Sequence, residues 1–223
     1  MKNPTKLIAI TGGSGAGKTW LANYLQGTLG AANAACLSLD SFYLDRSAVP
    51  PSARAEINYD HPDSIDWPGF ERVLGECRCG QPVLVPAYDF ASHTRLPFYG
   101  TFIPAGLVLV EGLWLLQQPQ ISELFDVKIY LDCPSHLRLE RRLARDVAER
   151  NRSPESVRTQ FWKTVAPMHD QFVAPQAKWA DLILQEPLYE TEISGLVEIL
   201  EIELHSALTP VTAWSTDAEF QSA

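Results

Sequence analysis

The chain has little sulfur, no excess of cations and no long apolar stretch, and each shortage removes a class of protein. Four cysteines are spread over 223 residues, with Cys77 and Cys79 too close for the C-x₂-C zinc spacing and Cys36 and Cys133 alone. They read as reduced thiols of a cytoplasmic protein, not as a disulfide frame or a metal knuckle. No apolar run approaches the roughly 18 residues of a membrane span, and no charged-then-apolar leader opens the sequence. No membrane partner is expected. Eighteen Lys and Arg against 27 Asp and Glu leave a net charge of −9, which argues against a nucleic-acid partner. Repeats and low-complexity tracts are missing too. What remains is an ordinary globular composition, long enough for one full core.

The organising stretch is Gly12-Gly13-Ser14-Gly15-Ala16-Gly17-Lys18-Thr19, directly after the apolar run Leu7-Ile8-Ala9-Ile10-Thr11. It satisfies G-x-x-x-x-G-K-[ST] between an expected strand and an expected helix, the context that separates a phosphate loop from a packing turn. Phosphate oxygens need several donors at short range. Glycines let the loop turn its N–H groups inward with no Cβ in the way. The helix starting near Lys18 adds the positive end of its dipole. Lys18 would place a mobile charge on the β- and γ-phosphates, and the Thr19 hydroxyl would be a ligand for Mg²⁺. A nucleoside triphosphate is the expected ligand.

Leu7–Thr11, Ala35–Leu39, Leu107–Gly112, Val127–Asp132 and Asp181–Leu184 read as short buried strands. Lys18–Leu29, Asp66–Gly80, Pro134–Arg150, Glu155–Phe172 and Glu190–Leu208 read as helices. Asp45–His61, with Pro50-Pro51, reads as an ordered loop, and Val83 to Pro104 as a hairpin-like excursion. Strands alternating with helices predict an α/β fold of the P-loop NTPase kind, a parallel sheet flanked by helices with right-handed crossovers. One domain is expected over residues 1–208, with the hairpin at about 82–105, followed by a frayed tail at 209–223. Ligands bind at the carboxyl ends of such strands, and Gly12, Asp40 and Glu111 all fall there.

Two carboxylates therefore gain a reason. Asp40 beside a phosphate loop can take the proton of an attacking hydroxyl or hold Mg²⁺ through water; the plainer alternative is a turn or N-cap aspartate. Glu111 ends four apolar residues and precedes Gly112, where a second acidic group would ligate the metal or its water. Six of the eighteen cationic residues lie between Arg138 and Arg152. In an acidic protein that points to a local anion, or else to a solvated helix face neighboured by Glu140, Asp146 and Glu149. Arg138, Arg142 and Arg145 fall at i, i+4 and i+7, one helical stripe.

Asp40-Ser41-Phe42-Tyr43, Asn58-Tyr59-Asp60-His61-Pro62-Asp63, Pro86-Ala87-Tyr88-Asp89-Phe90 with His93 and Arg95, and Glu149-Arg150-Asn151-Arg152 together resemble the uridine kinase (uridine–cytidine kinase) family, over about residues 5 to 185. The resemblance implies a nucleoside kinase that moves the γ-phosphoryl of Mg²⁺-ATP, with GTP an open alternative donor, to the 5′-hydroxyl of uridine or cytidine. It implies Asp40 as general base, with Lys18 and Arg145 assisting at the transferring group. Asp60 would take the ribose hydroxyls with help from Arg150, and Tyr43 would line the nucleoside site. Tyr88, Phe90 and His93 would read the pyrimidine, since a neutral imidazole can donate to uracil O4 or accept from cytosine N4. Arg142, Arg145, Arg150 and Arg152, in a lid at about 138–155, would cover triphosphate and ribose, and Gln160 would touch the acceptor. The P-loop residues Gly12, Gly13, Ser14, Gly15, Ala16, Gly17, Lys18 and Thr19 would hold ATP, and Thr19, Asp40 and Glu111 the metal. The family forms homo-tetramers, so an oligomer is implied.

Asn151 stands where the family has Gly, a position Asn can fill because it tolerates positive φ. Leu44–Ile57 matches nothing in the family pattern. Two rivals follow. One is another P-loop small-molecule kinase, of the phosphoribulokinase, pantothenate kinase or nicotinamide riboside kinase kind, against which stand the N-Y-D-H-P run and the Tyr-x-Phe-x-x-His group. The other is a nucleotide-binding regulatory protein with no acceptor chemistry, against which stands Asp40.

Overall fold

The computed structural model describes residues 4–54 and 57–208. In chain order the elements are β1 (Lys6–Gly12), α1 (Lys18–Leu29), β2 (Ala34–Ser38), α2 (Pro51–Arg54), α3 (Trp67–Arg78), β3 (Val83–Asp89), β4 (Thr94–Phe102), β5 (Leu107–Gly112), α4 (Pro119–Ser122), β6 (Val127–Asp132), α5 (Ser135–Glu149), α6 (Pro154–Gln160), α7 (Ala166–Met168), β7 (Leu182–Gln185) and α8 (Glu190–Leu208). Five strands form a parallel sheet in the order β2-β5-β1-β6-β7, and β3 with β4 forms a separate antiparallel hairpin. This is the expected P-loop kinase architecture.

Alternation along β1 explains why its sequence is apolar without a break. Leu7 and Ala9 face a core shared with Phe70, Val73, Leu74 and Cys77 of α3. Ile8 and Ile10 face the opposite core, with Leu21 and Leu25 of α1 and Leu196, Leu200 and Leu204 of α8. A strand covered on both sides needs apolar residues at every position. Each fully buried Leu or Ile contributes about 1.5–3 kcal/mol. The register then sets the site, because Glu111 pairs with both Ile10 and Ser38. The phosphate loop and the ends of β2 and β5 therefore open on one edge.

Three local expectations differ from the structure. Leu39 leaves the strand and starts a single 3₁₀ turn, Leu39–Phe42, so Asp40 lies beyond the strand end. The segment read as loop contains the one-turn α2, begun by Pro51, whose fixed φ suits a first helical position. Glu155–Phe172 is not one regular helix. Ser153 caps α6, after which the chain widens into π-helical turns at Phe161–Val165 and His169–Val173 and tightens into a 3₁₀ turn at Ala174–Trp179. Pro167 and Pro175 have no N–H to give an α-helical ladder, and the winding changes around them. The tail at 209–223 lies outside the described residues. No described helix is long and apolar enough to cross a membrane.

Candidate active site

β1 delivers the chain into the phosphate loop. At Gly12, φ is +146° and a Cβ would meet the Leu131 carbonyl oxygen at 2.6 Å, so only glycine fits between β1 and β6. Gly17, also left-handed at φ +94°, precedes the first turn of α1. Lys18 Nζ donates to the Gly13 carbonyl at 3.0 Å. Burial pulls this amine below the usual lysine range, and the charges of Glu111 and Asp40 oppose that pull. Arg138 does not face the cleft. Only 3% exposed, it donates through Nε to the Cys133 carbonyl at 3.1 Å and packs under Gly13, bracing the loop from behind. The arginine stripe thus divides, one residue beneath the loop and the others in front of it.

The acidic groups meet at the strand ends. Ser38 links them: its hydroxyl donates to Glu111 Oε1 at 2.5 Å and accepts from the Asp40 N–H at 3.3 Å. Burial pushes the Glu111 carboxyl up, and the negative charge of Asp40 pushes the same way. Lys18 opposes both, and the nearby hydroxyls of Ser38 and Thr19 pull the same way as Lys18. Thr19, Asp40, Glu111 and Lys18 therefore share one corner. Among the described residues no group of three or more His, Cys, Asp or Glu forms a metal cage.

On the acceptor side, an aromatic group gathers from three segments. The Tyr43 ring lies 5.2 Å from Tyr88 and 6.0 Å from Phe90. His93 stacks on Tyr59 at 4.1 Å and 11°, and the Arg150 guanidinium sits 5.0 Å over Phe90. Burial, reinforced by Asp40, raises the Tyr43 hydroxyl well above its usual range. The His93 imidazole is pulled below its ordinary value, first by burial and then by Arg150. Three polar atoms of this group, Tyr59 Oη, Tyr88 Oη and His93 Nδ1, are buried with no hydrogen-bond partner among the described residues. Asp60 lies next door, its carboxyl raised by burial and lowered in turn by Arg142, and it accepts from Thr164 Oγ1 at 3.4 Å. The guanidiniums acting on Asp60 are Arg142 and Arg152. The expected helper, Arg150, lies with its guanidinium over Phe90 and its Nη1 3.5 Å from Asp146. A cleft of about 640 Å³ opens between Asn58 and Tyr59 on one wall and Arg152, Gln160, Lys163 and Thr164 on the other.

The lid arginines tie these halves together. Arg142 donates through Nη1 to Ser14 Oγ at 2.8 Å and through Nη2 to Gln160 Oε1 at 3.0 Å, while Arg152 also donates to Gln160. Arg145, Arg150 and Arg152 turn toward Asp146. Asn151 takes φ +52°, the left-handed turn its neighbours need.

The sequence model of the phosphoribulokinase / uridine kinase family matches residues 7–192. The chain belongs to that family. Its relatives include proteins named uridine kinase from Staphylococcus epidermidis, 42% identical over 82% of this chain and 89% of theirs, and from Staphylococcus aureus, 42% identical over 82% and 88%. Among solved structures, the phosphoribulokinase of Rhodobacter spheroides has a TM-score of 0.60 at 19% identity, covering 83% of this chain and 71% of that one. The D-glycerate 3-kinase of Cryptococcus neoformans has a TM-score of 0.59 at 18% identity, covering 82% and 86%. At those identities the likeness is one of fold.

For a member of this family, the sequence left several residues of the site unassigned. Ser38 and Thr164 are small hydroxyls whose partners lie 73 and 104 positions away, so no local pattern marks them. Tyr59 sits inside a recognised motif but gains its place by stacking on the hairpin's His93 and meeting the Tyr43 ring edge-on. Gln176, fully buried, donates to the carbonyls of Leu113 and Phe172 and accepts from the Leu116 N–H, fixing the loop after β5.

Proposed function

We propose that the protein transfers the γ-phosphoryl group of ATP to the 5′-hydroxyl of uridine or cytidine. The observation that carries this reading is the set of three unpaired polar atoms inside the aromatic group. Buried polar atoms are normally satisfied, and a ring bordered by heteroatoms would satisfy these while stacking on their neighbours. Its neutral imidazole suits either pyrimidine, as donor or acceptor. The relatives named uridine kinase, at 42% identity, support the same choice.

In this mechanism the glycine loop and Lys18 hold the triphosphate tail, and Arg142 and Arg145 meet the charge spread over the transferring group. Asp60 orients the ribose by accepting from its hydroxyls. Asp40 takes the 5′-hydroxyl proton as that oxygen bonds to the γ-phosphorus and the bond to ADP breaks. The hydroxyl of Thr19 and the carboxylates of Asp40 and Glu111 are hard oxygen donors that suit Mg²⁺, which would offset charge between the β- and γ-phosphates. The lid arginines keep water from competing with the sugar alcohol.

A panel of acceptors in an ADP-release assay, run with ATP and with GTP, tests the reading. Uridine and cytidine are expected to turn over, and purine nucleosides, ribulose 5-phosphate, pantothenate and nicotinamide riboside are not. A preference for any of the latter would replace the acceptor while leaving the phosphoryl chemistry in place.

A further inference from the structure

From sequence alone Asp146 belongs with Glu140 and Glu149 as solvated company for the arginines. The structure separates them: Glu140 and Glu149 are exposed, whereas Asp146 is 0% exposed. Its carboxylate is surrounded by cations. Arg145 approaches Oδ1 through Nη2 at 2.8 Å and Nε at 2.9 Å, and Arg150 Nη1 stands 3.5 Å from the same oxygen. Arg142 Nε and Arg152 Nη1 stand 3.4 and 3.6 Å from Oδ2. The main chain of the same residue joins in, since the N–H groups of Arg150 and Arg152 both point to the Asp146 carbonyl at 3.2 Å, around the left-handed Asn151.

Four guanidiniums about one carboxylate cannot be neutral. Among the described residues Arg145 alone closes a side-chain hydrogen bond to it, through Nε. The other three are held at longer range, and Asp146 Oδ2 and Arg142 Nε complete no hydrogen bond among the described residues. The carboxylate thus restrains cations that would otherwise repel one another, yet does not use up their donors. Arg142 shows the result, with one Nη on the Ser14 hydroxyl of the phosphate loop and the other on Gln160 of the acceptor wall.

We propose that Asp146 is the positioning residue of the lid: it gathers Arg142, Arg145, Arg150 and Arg152 into the spacing that a transferring phosphoryl group requires. The proposal deepens the phosphoryl-transfer reading and rests on it. It also separates placement of charge from quantity of charge, because removing Asp146 makes the lid more positive but less ordered.

The full-length Asp146→Asn variant tests it. Turnover is expected to fall by about 10- to 100-fold, the range for misplaced charge stabilisation, while the acceptor KM stays within about threefold. Affinity for inorganic tripolyphosphate with Mg²⁺, followed by calorimetry, is expected to hold or rise. Normal turnover would overturn the proposal. So would a parallel loss of tripolyphosphate binding, since that is what simple damage to the fold produces. Because Arg145 is one of the four arginines that Asp146 positions, adding Asp146→Asn to Arg145→Gln is expected to cost less than the two separate losses combined, and fully additive losses count against the idea. Asp146→Glu, which keeps the charge but shifts it by one methylene, is expected to recover part of the loss. If the asparagine variant does not fold, the glutamate variant carries the test alone, and wild-type turnover in it then overturns the proposal. Wild-type enzyme that binds tripolyphosphate but phosphorylates neither uridine nor cytidine refutes the acceptor assignment instead.

Discussion

The two ends of the cleft are built in opposite ways. The phosphate end is one contiguous loop whose donors are main-chain N–H groups, held by glycine geometry and braced by Arg138 beneath Gly13. The acceptor end is assembled from side chains on Tyr43, on Tyr59 and Asp60, on the β3–β4 hairpin, and on the segment from Arg150 to Thr164. A loop made of backbone depends on few neighbours. An assembly made of distant side chains depends on whatever fastens its parts. One such fastener is Arg95, which ties the hairpin to the Asp40 turn by donating to the carbonyls of Tyr43 and Phe42 and pairing with Asp66 at 2.9 Å.

The contrast breaks most sharply at Asp40, which in the proposed mechanism serves both ends. Asp40→Asn should lower kcat by about 10²–10⁴-fold with little change in nucleoside affinity, because the amide keeps the shape but cannot take the proton. Steady-state kinetics beside a nucleoside binding titration would check this, and near-normal turnover would remove Asp40 as the base. Next in size is His93→Ala, expected to raise the pyrimidine KM by about 10- to 100-fold with the ATP KM nearly unchanged, the loss that follows when a polar contact in a buried site is removed. Equal losses for both substrates would mean that the ends are not independent.

Arg95→Ala sharpens the comparison from outside the cleft. It removes a partly buried ion pair and strands two carbonyls, so a loss of about 1–3 kcal/mol is expected in denaturant unfolding. Acceptor KM should rise several-fold while tripolyphosphate affinity stays put. A matching fall in tripolyphosphate affinity would show that the hairpin also supports the phosphate loop.

The same division explains what was legible in the sequence. Gly12 to Thr19, the doubly covered strands, Glu111 at the end of β5 and Asp40 just past β2 are local patterns, each set by its own stretch of chain. Tyr43, Tyr88, Phe90 and His93 were legible only as parts of motifs, and the structure adds that the first three touch directly while His93 joins them through Tyr59. Ser38, Thr164, Gln176 and the burial of Asp146 were not legible, because each is defined by a partner far along the chain. Arg150 illustrates the limit within a motif. Its position beside Asn151 was readable, but that it lies over Phe90 depends on where the hairpin ends.

The smallest expected effect concerns protons, and it too should fall on one end only. The imidazole of His93 is held below its ordinary value of 6.5 by burial and by Arg150, Arg152 and Arg54, with Asp89 alone pulling upward. His93 should therefore stay neutral from pH 8 down past 6.5, able to donate or accept at the base. Acceptor KM is expected to stay flat over that range and to rise only at lower pH, while the ATP KM does not follow. The sign for stability runs the same way. Below about 6.5 the unfolded chain takes up a proton that the folded chain refuses, so stability falls with pH until the folded-state value is passed. His169, lowered by burial and by Arg138, adds a second contribution of the same sign. His93→Gln should therefore reduce the acid loss without abolishing it. An acceptor KM that climbs between pH 8 and 7 would mean a charged imidazole at the base, and would end the claim that one neutral ring reads both pyrimidines.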